Sequence, residues 1–276
     1  MSANPTCSAA LEASLPEDML PLLDFAKRHG VFSFHYEDTI GSTNDLAHAL
    51  FESGCPNGLV VLANGQSSGR GSKGRQWYSP YGLNIYMTIV LRPEGLQISK
   101  ASIINLMASL TVARAINMFT GLSAWPKWPN DIYVSGKKIA GILCESIISN
   151  GYVKGLFIGI GVNVNQRTFP ANLTDSASSV FLQTGIAHER GGLIIDILNM
   201  FRMYYRLLLS KDSQLIIDRW SDMSKTINAK VCINSLTVKY SGTVIGVDSV
   251  GRLVIKSDSG ELSTVLEGEV SHVISH

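Results

Sequence analysis

The run Ile158-Gly159-Ile160-Gly161-Val162-Asn163-Val164-Asn165 constrains the fold more than any other segment. Its period of two is that of an extended strand. Isoleucine and valine lie on one face, and Gly159, Gly161, Asn163 and Asn165 on the other. The first face needs a core beneath it. The second is stripped of bulk, which packs poorly but admits close approach, by a helix or equally by a flat ligand. Asn163, at the end of that bare face, is the member best equipped for chemistry.

Elsewhere, Leu83, Ile85, Met87, Ile89 and Leu91 alternate with Asn84, Tyr86 and Thr88, which predicts a half-buried strand over Gly82–Leu91. Ile103, Leu106, Met107, Leu110, Ala113 and Ile116 recur at three-to-four spacing, as in a helix over 100–119 lying on a sheet. Helices are also expected near Asp18–His29, over 191–210 and over 213–223, with short strands over Val60–Ala63 and Tyr152–Val164. Ser42-Thr43-Asn44-Asp45 opens a further helix, with Ser42 as cap, Asp45 in a capping-box arrangement and Gly54 as the stop. Trp128-Pro129 cannot continue a helix. Ile132–Val134, a Ser135-Gly136 turn and Ile139–Ile147 then read as a β-hairpin in which alternation sets Lys138 on the face of Ala140, Ile142 and Cys144.

From Asn228 the texture changes to short β segments at 231–233, 237–240, 243–247, 253–255, 261–265 and 270–274. Turn sequences at Asp248–Gly251 and Asp258–Gly260 separate them. The expected division is a large domain over 1–226 and a small barrel over 227–276.

Composition removes other classes. A 276-residue chain with 45% hydrophobic residues has surface enough for a core and is no disordered polymer. Its 23 basic and 22 acidic residues balance, which argues against a general field for nucleic acid or membrane. Cys7, Cys55, Cys144 and Cys232 are far apart with no C-x-x-C pair, so neither zinc nor a disulfide framework is indicated and a reducing cytoplasm is expected. The N-terminus lacks the basic start and apolar run of a secretory signal. The most apolar stretch, Leu193–Leu209, carries Asp196, Asn199, Arg202 and Arg206, so it reads as an amphipathic core helix and not a membrane span.

Three segments carry chemistry. In Gly69–Trp77 (GRGSKGRQW) the glycines let backbone approach a ligand, Arg70, Lys73 and Arg75 suit phosphate or carboxylate, and Trp77 can stack on a base. Taken alone, such a loop is more often a solvated hairpin, and it is not a Walker A loop. In Lys127-Trp128-Pro129-Asn130-Asp131 with Lys137-Lys138-Ile139-Ala140-Gly141, two lysines near the ends of one hairpin either bind an anion together or are ordinary surface lysines. Asn130 and Asp131 add oxygens suited to magnesium or to accepting a proton from an incoming lysine. The third segment is the bare strand face.

Together, Ser42-Thr43-Asn44, Gln66–Trp77, Asn84-Ile85-Tyr86, Lys127–Asp131, Lys137–Gly141 and Gly159–Asn163 follow the order and spacing of biotin protein ligases, which the chain resembles from about residue 38 onward. The K-W-P-N-D block with its downstream K-I-A-G-I-L block is the most specific part. The resemblance implies an α+β catalytic domain of the class II synthetase-like biotin/lipoate ligase kind, a mixed β-sheet flanked by helices, followed by an SH3-like barrel. It implies biotin and ATP as substrates with Mg2+, biotinyl-AMP as intermediate, and the lysine of a biotin carboxyl carrier domain of acetyl-CoA carboxylase or a similar carboxylase as acceptor.

By that resemblance Ser42, Thr43, Asn44, Gln66, Gly69, Arg70, Lys138 and Gly141 are expected around biotin. Gly71, Ser72, Lys73, Arg75, Trp77, Asn130, Lys138 and Asn163 are expected around the adenylate. Lys138, Lys127, Arg70 and Asp131 are the expected catalytic set. No protein metal site is expected beyond Asp131 near magnesium carried on ATP.

Two departures stand out. Ser72 occupies a place where the family usually has arginine, which implies weaker retention of the adenylate. Only about forty residues precede the Ser42 block, too few for the winged helix-turn-helix of repressor-type relatives, so no operator binding is expected. The closest rival by this reading is a lipoate or octanoate ligase. A non-catalytic binding module is the rival from another class. A sheet edge is expected to dock the carrier and is open to homodimerisation.

Overall fold

A computed structural model describes residues 13–210, 212–235, 238–266 and 268–272. Its helices are α1 (Pro21–His29), α2 (Thr43–Glu52), α3 (Ala101–Thr120), α4 (Val180–Thr184), α5 (Arg190–Leu209) and α6 (Gln214–Met223). The strands of the large domain are β1 (Ser33–Ile40), β2 (Leu59–Gln66), β3 (Ile85–Leu91), β4 (Trp125–Lys127), β5 (Asp131–Val134), β6 (Lys137–Ser149) and β7 (Tyr152–Val162). They form one mixed sheet in the order β1-β2-β3-β7-β6-β5-β4, in which only β1 and β2 run parallel.

The apolar faces of β2, β3 and β7 (Val60, Leu62, Ile85, Met87, Ile89, Ile158, Ile160 and Val162) enter one core with α1, α3, α5 and α6. The opposite face is covered in part by α2, which buries Ala47 against Val61, Val90 and Phe157. Strand β3 is therefore buried on both faces instead of one. Polar residues find partners there: Thr88 Oγ1 donates to Asn44 Oδ1, and Asn84, just before the strand, bonds Gln166 and the Val164 amide.

The hairpin turn has Ser135 at φ 49° and Gly136 at φ 78°, the left-handed pair of a tight turn matched to strand twist. A bulge opposite Ile132/Tyr133 then places Ile139 and Ala140 both in the core. This corrects the alternation expected for β6. The extra residue flips the parity, so Lys138 shares its face with Gly141 and not with Ala140 and Ile142.

Other expectations shift in detail. Ser42 stands at the N-cap of α2 but its side chain makes no capping bond. The Thr43 amide instead donates to Gln66 Oε1, and Asp45 pairs with Arg70. Among the described residues, the helix apolar enough by composition to cross a membrane is α3 with its preceding turn, not α5, and it is mostly buried in the core. Strand β1 had no clear pattern in the sequence.

Beyond α6, strands β8 (Lys230–Asn234), β9 (Lys239–Val247), β10 (Leu253–Lys256), β11 (Leu262–Val265) and β12 (Glu269–His272) form a small antiparallel sheet in the order β11-β10-β9-β8-β12. The segments expected at 237–240 and 243–247 are one strand, continuous through Gly242 at φ 155°. Residues 236, 237 and 273–276 lie outside the described residues, as does Cys7.

Candidate active site

The bare face of β7 is where the large domain is hollow. A Cβ at Gly161 would stand 2.6 Å from Trp77 Cε2 and Nε1, and one at Gly141 would stand 2.9 Å from Trp77 Cζ3. The indole thus lies on a two-strand glycine platform, and the flat group the sequence pattern calls for is supplied by the chain itself. At Gly159 the same space is taken by the Asn44 amide. The Trp77 N–H is buried with no hydrogen-bond partner. Leaving such a donor unpaired costs about 1–3 kcal/mol, a cost that an incoming acceptor removes.

Gly69–Trp77 folds back as a hairpin, with the Trp77 amide donating to Gly69 O at 2.8 Å and the Gly71 amide to Arg75 O at 2.7 Å. Lys73, at its tip, sits at φ 58° in the left-handed region. Arg70 reaches Asp45 at 2.6 Å and Glu145 at 2.5 Å. Lys138 Nζ lies 2.5 Å from Asp131 Oδ1 and 5.2 Å from the Trp77 ring centroid. Arg75 meets Glu269 of the small sheet at 3.4 Å. Each of these cations is therefore neutralised internally by a carboxylate that a negatively charged ligand must replace or join.

The structure brings Ser42, Thr43, Asn44, Gln66, Arg70, Gly71, Ser72, Trp77, Asn130, Asp131, Lys138 and Gly141 around one cavity. It leaves only about 40 Å³ of space, whereas sites for small ligands occupy several hundred. Two adjoining hollows, of about 340 and 260 Å³, share Ser72 and Asp131 with it. Lys73 and Lys127 line the first of these, Asn163 lines the second with Trp77 and Lys138, and Arg75 lines both.

Lys127 is thus set apart from Arg70, with its ammonium 4.7 Å from the Tyr133 ring centroid. Burial holds its pKa below the usual lysine value. Lys138 pushes the same way, while Asp131 and Glu269 oppose. Asn163 is buried, and its side-chain amide donates to Ser178 O. Gly69 lies outside the cavity. A Cβ there would meet Ser79 Oγ at 2.5 Å and Trp77 O at 2.7 Å, so its role is to let the loop close on itself.

Sequence reasoning missed Tyr86, Leu143, Glu145 and Glu269. Tyr86 and Leu143 line the main cavity, and Glu269 lines both hollows. Glu145 stands behind Arg70. Burial would raise its pKa, but the Asn44 hydrogen bond and the Arg70 charge outweigh that and hold it below the usual carboxylate value. Its position two and four residues beyond Leu143 and Gly141 on one strand face is the signal that points to it.

Residues 36–163 match the biotin/lipoate A/B protein ligase family, and residues 226–273 match the biotin protein ligase C-terminal domain. The bifunctional ligase/repressor BirA of Bacillus subtilis is 34% identical over 227 residues, covering 82% of this chain and 70% of that protein. The biotin–[acetyl-CoA-carboxylase] ligase of Paracoccus denitrificans is 30% identical over 205 residues, covering 72% of this chain and 85% of its own. Among solved structures, biotin protein ligase from Aquifex aeolicus in complex with biotin and ATP aligns with a TM-score of 0.77 at 26% identity, over 88% of this chain and 99% of that one.

A mixed sheet with a cationic hairpin loop folded over a glycine platform, followed by a small β domain, defines the class: a biotin/lipoate-type ligase domain with a ligase C-terminal domain. Within that class, the chain belongs to the biotin protein ligase family.

Proposed function

We propose that the protein is an ATP-dependent biotin–protein ligase. The observation that carries this reading is the single cavity in which Arg70 and Lys138, from separate stretches of chain, flank a platform occupied by Trp77 with its N–H unsatisfied. In the first step a carboxylate oxygen of biotin bonds to the α-phosphorus of ATP, the bond to the β-phosphate oxygen breaks, and pyrophosphate leaves. Two anions must meet there, so cations that stabilise the charge gathering on phosphorus do most of the work. Lys138 and Arg70 face the main cavity, and Lys127, Lys73 and Arg75 line the hollow beside it, where a polyphosphate fits.

In the second step a carrier lysine attacks the acyl carbon of biotinyl-AMP, AMP leaves, and the amine loses a proton, for which Asp131 is the carboxylate on the wall. Magnesium would be carried in on ATP, with the Asp131 carboxylate, which lines the cavity and both hollows, as the oxygen donor the chain offers it. Trp77 on Gly161 suits an adenine beside it, and Asn163 lines the same hollow. The limited free volume requires the Gly69–Trp77 loop to move as ligands enter, which also shields the anhydride from water once it closes.

The remaining assignments extend the same reading: a biotin carboxyl carrier domain as acceptor, an SH3-like small domain over 227–276, and a cytoplasmic location. The test is incubation with biotin, Mg-ATP and an apo carrier domain, followed by mass spectrometry of the carrier. A biotinyl mass increment supports the reading. Activation of lipoate but not biotin, or no biotin-dependent ATP–pyrophosphate exchange, overturns it.

A further inference from the structure

The geometry points to Glu145 as the positioning residue that aims Arg70 and fastens the Gly69–Trp77 loop over the cavity. Its carboxylate accepts from Arg70 Nη2 at 2.5 Å and Nη1 at 3.3 Å, and from Asn44 Nδ2 at 2.9 Å. Asn44 is fixed in turn by Thr88 of β3, whose hydroxyl donates to Asn44 Oδ1 at 2.6 Å, and it fills the space left open at Gly159. One carboxylate therefore joins the central sheet, the start of α2 and the loop. It does not line the cavity itself, whereas Arg70 and Asn44 both do.

Arg70 has a second partner in Asp45, but that side chain is 58% exposed against 24% for Glu145. A screened, mobile partner contributes little, while a charge-assisted bidentate contact from a half-buried strand fixes the guanidinium plane. His48, stacked on Phe157 with its Nε2 3.5 Å from the same carboxylate, closes the remaining side. With Glu145 neutralised, Arg70 is free to swing toward Asp45 and solvent, and the loop loses its inner anchor. Among its other side-chain ties are the Arg75–Glu269 pair, the Ser79 hydroxyl donating to Trp77 O, and the Trp77 indole on the platform.

The assignment of a role in biotin binding rests on the ligase reading; the anchoring of the loop does not. The experiment uses the full chain and the variants E145Q, D45N, R70Q and E145Q/R70Q. Trypsin reads the loop through cleavage after Lys73 and Arg75. E145Q is expected to be cut roughly tenfold faster there than wild type, and D45N at the wild-type rate. In biotin-dependent pyrophosphate exchange, E145Q should raise KM for biotin about tenfold with kcat within about threefold, and should add nothing in the R70Q background, since both remove one interaction.

Additive effects of E145Q and R70Q, or cleavage and KM unchanged in E145Q, overturn the proposal. Should E145Q not fold, R70Q removes the same contact from the exposed side, and normal loop protection in R70Q overturns the anchor. If wild type shows no exchange while E145Q still exposes the loop, the ligase reading fails and the anchor stands.

Discussion

Adding one methyl group at Gly161 tests the glycine platform directly. In G161A the new Cβ would stand 2.6 Å from two atoms of the Trp77 indole, roughly 1 Å inside ordinary carbon contact. The indole cannot sink, because β6 and β7 lie beneath it, so ring and loop must lift by about that amount or the platform strands must part. Overpacking of this size costs about 1–3 kcal/mol. If ATP binding uses the seated ring, KM for ATP in pyrophosphate exchange rises roughly five- to 150-fold, with biotin saturating. G246A is the control, since a Cβ there meets nothing within 4 Å and the backbone is unstrained. A G161A enzyme with KM for ATP within twofold of wild type would refute the idea that Trp77 works from the platform.

Other consequences can be checked separately. S72R places a guanidinium at the junction of the cavity and both hollows, and a charge-assisted contact worth about 1.5–3 kcal/mol should slow release of biotinyl-AMP tenfold or more. An unchanged release rate in a trapping assay contradicts it. D18N leaves the Arg190 charge buried without its carboxylate, which met it at 2.6 and 2.7 Å. Loss of one partner costs about 3 kcal/mol, so Tm at pH 7 should fall roughly 6–12 °C by differential scanning calorimetry. Burial would raise the Asp18 pKa, but Arg190's hydrogen bonds and charge outweigh that and hold it below the usual carboxylate value. The pair's contribution is therefore present above the carboxylate's unfolded pKa and lost as pH falls through the depressed folded one. The gap between wild type and D18N should close as pH falls through the depressed Asp18 pKa; a constant gap sinks the assignment.

Much of this was legible in the chain. The Ile158–Asn165 alternation gave a strand with one bare face because period and side-chain size speak together, and the structure sets β7 at the sheet centre with the cavity on that side. The hairpin was equally clear, since Ser135-Gly136 needs the left-handed backbone it adopts. What failed was parity beyond the turn. A bulge leaves no trace in composition, and one extra residue moved Lys138 to the Gly141 face. Strand β1 went unseen because its sequence, SFHYEDTI, is that of a polar edge, where solvent replaces the alternating contrast. Glu145 was passed over as an ordinary strand carboxylate, because its partners Asn44 and Arg70 come from 101 and 75 residues away. The Asp18–Arg190 pair spans 172 residues, beyond the reach of any local pattern.

The most direct measurement is biotin-dependent exchange of labelled pyrophosphate into ATP by wild type and by K138Q, which removes the cavity's ammonium at nearly constant shape. The expected result is exchange that requires biotin and falls by about 10²- to 10³-fold in K138Q, with the fold retained. Exchange at the wild-type rate in K138Q would contradict the claim that cations gathered from separate segments bring the two anionic reactants together.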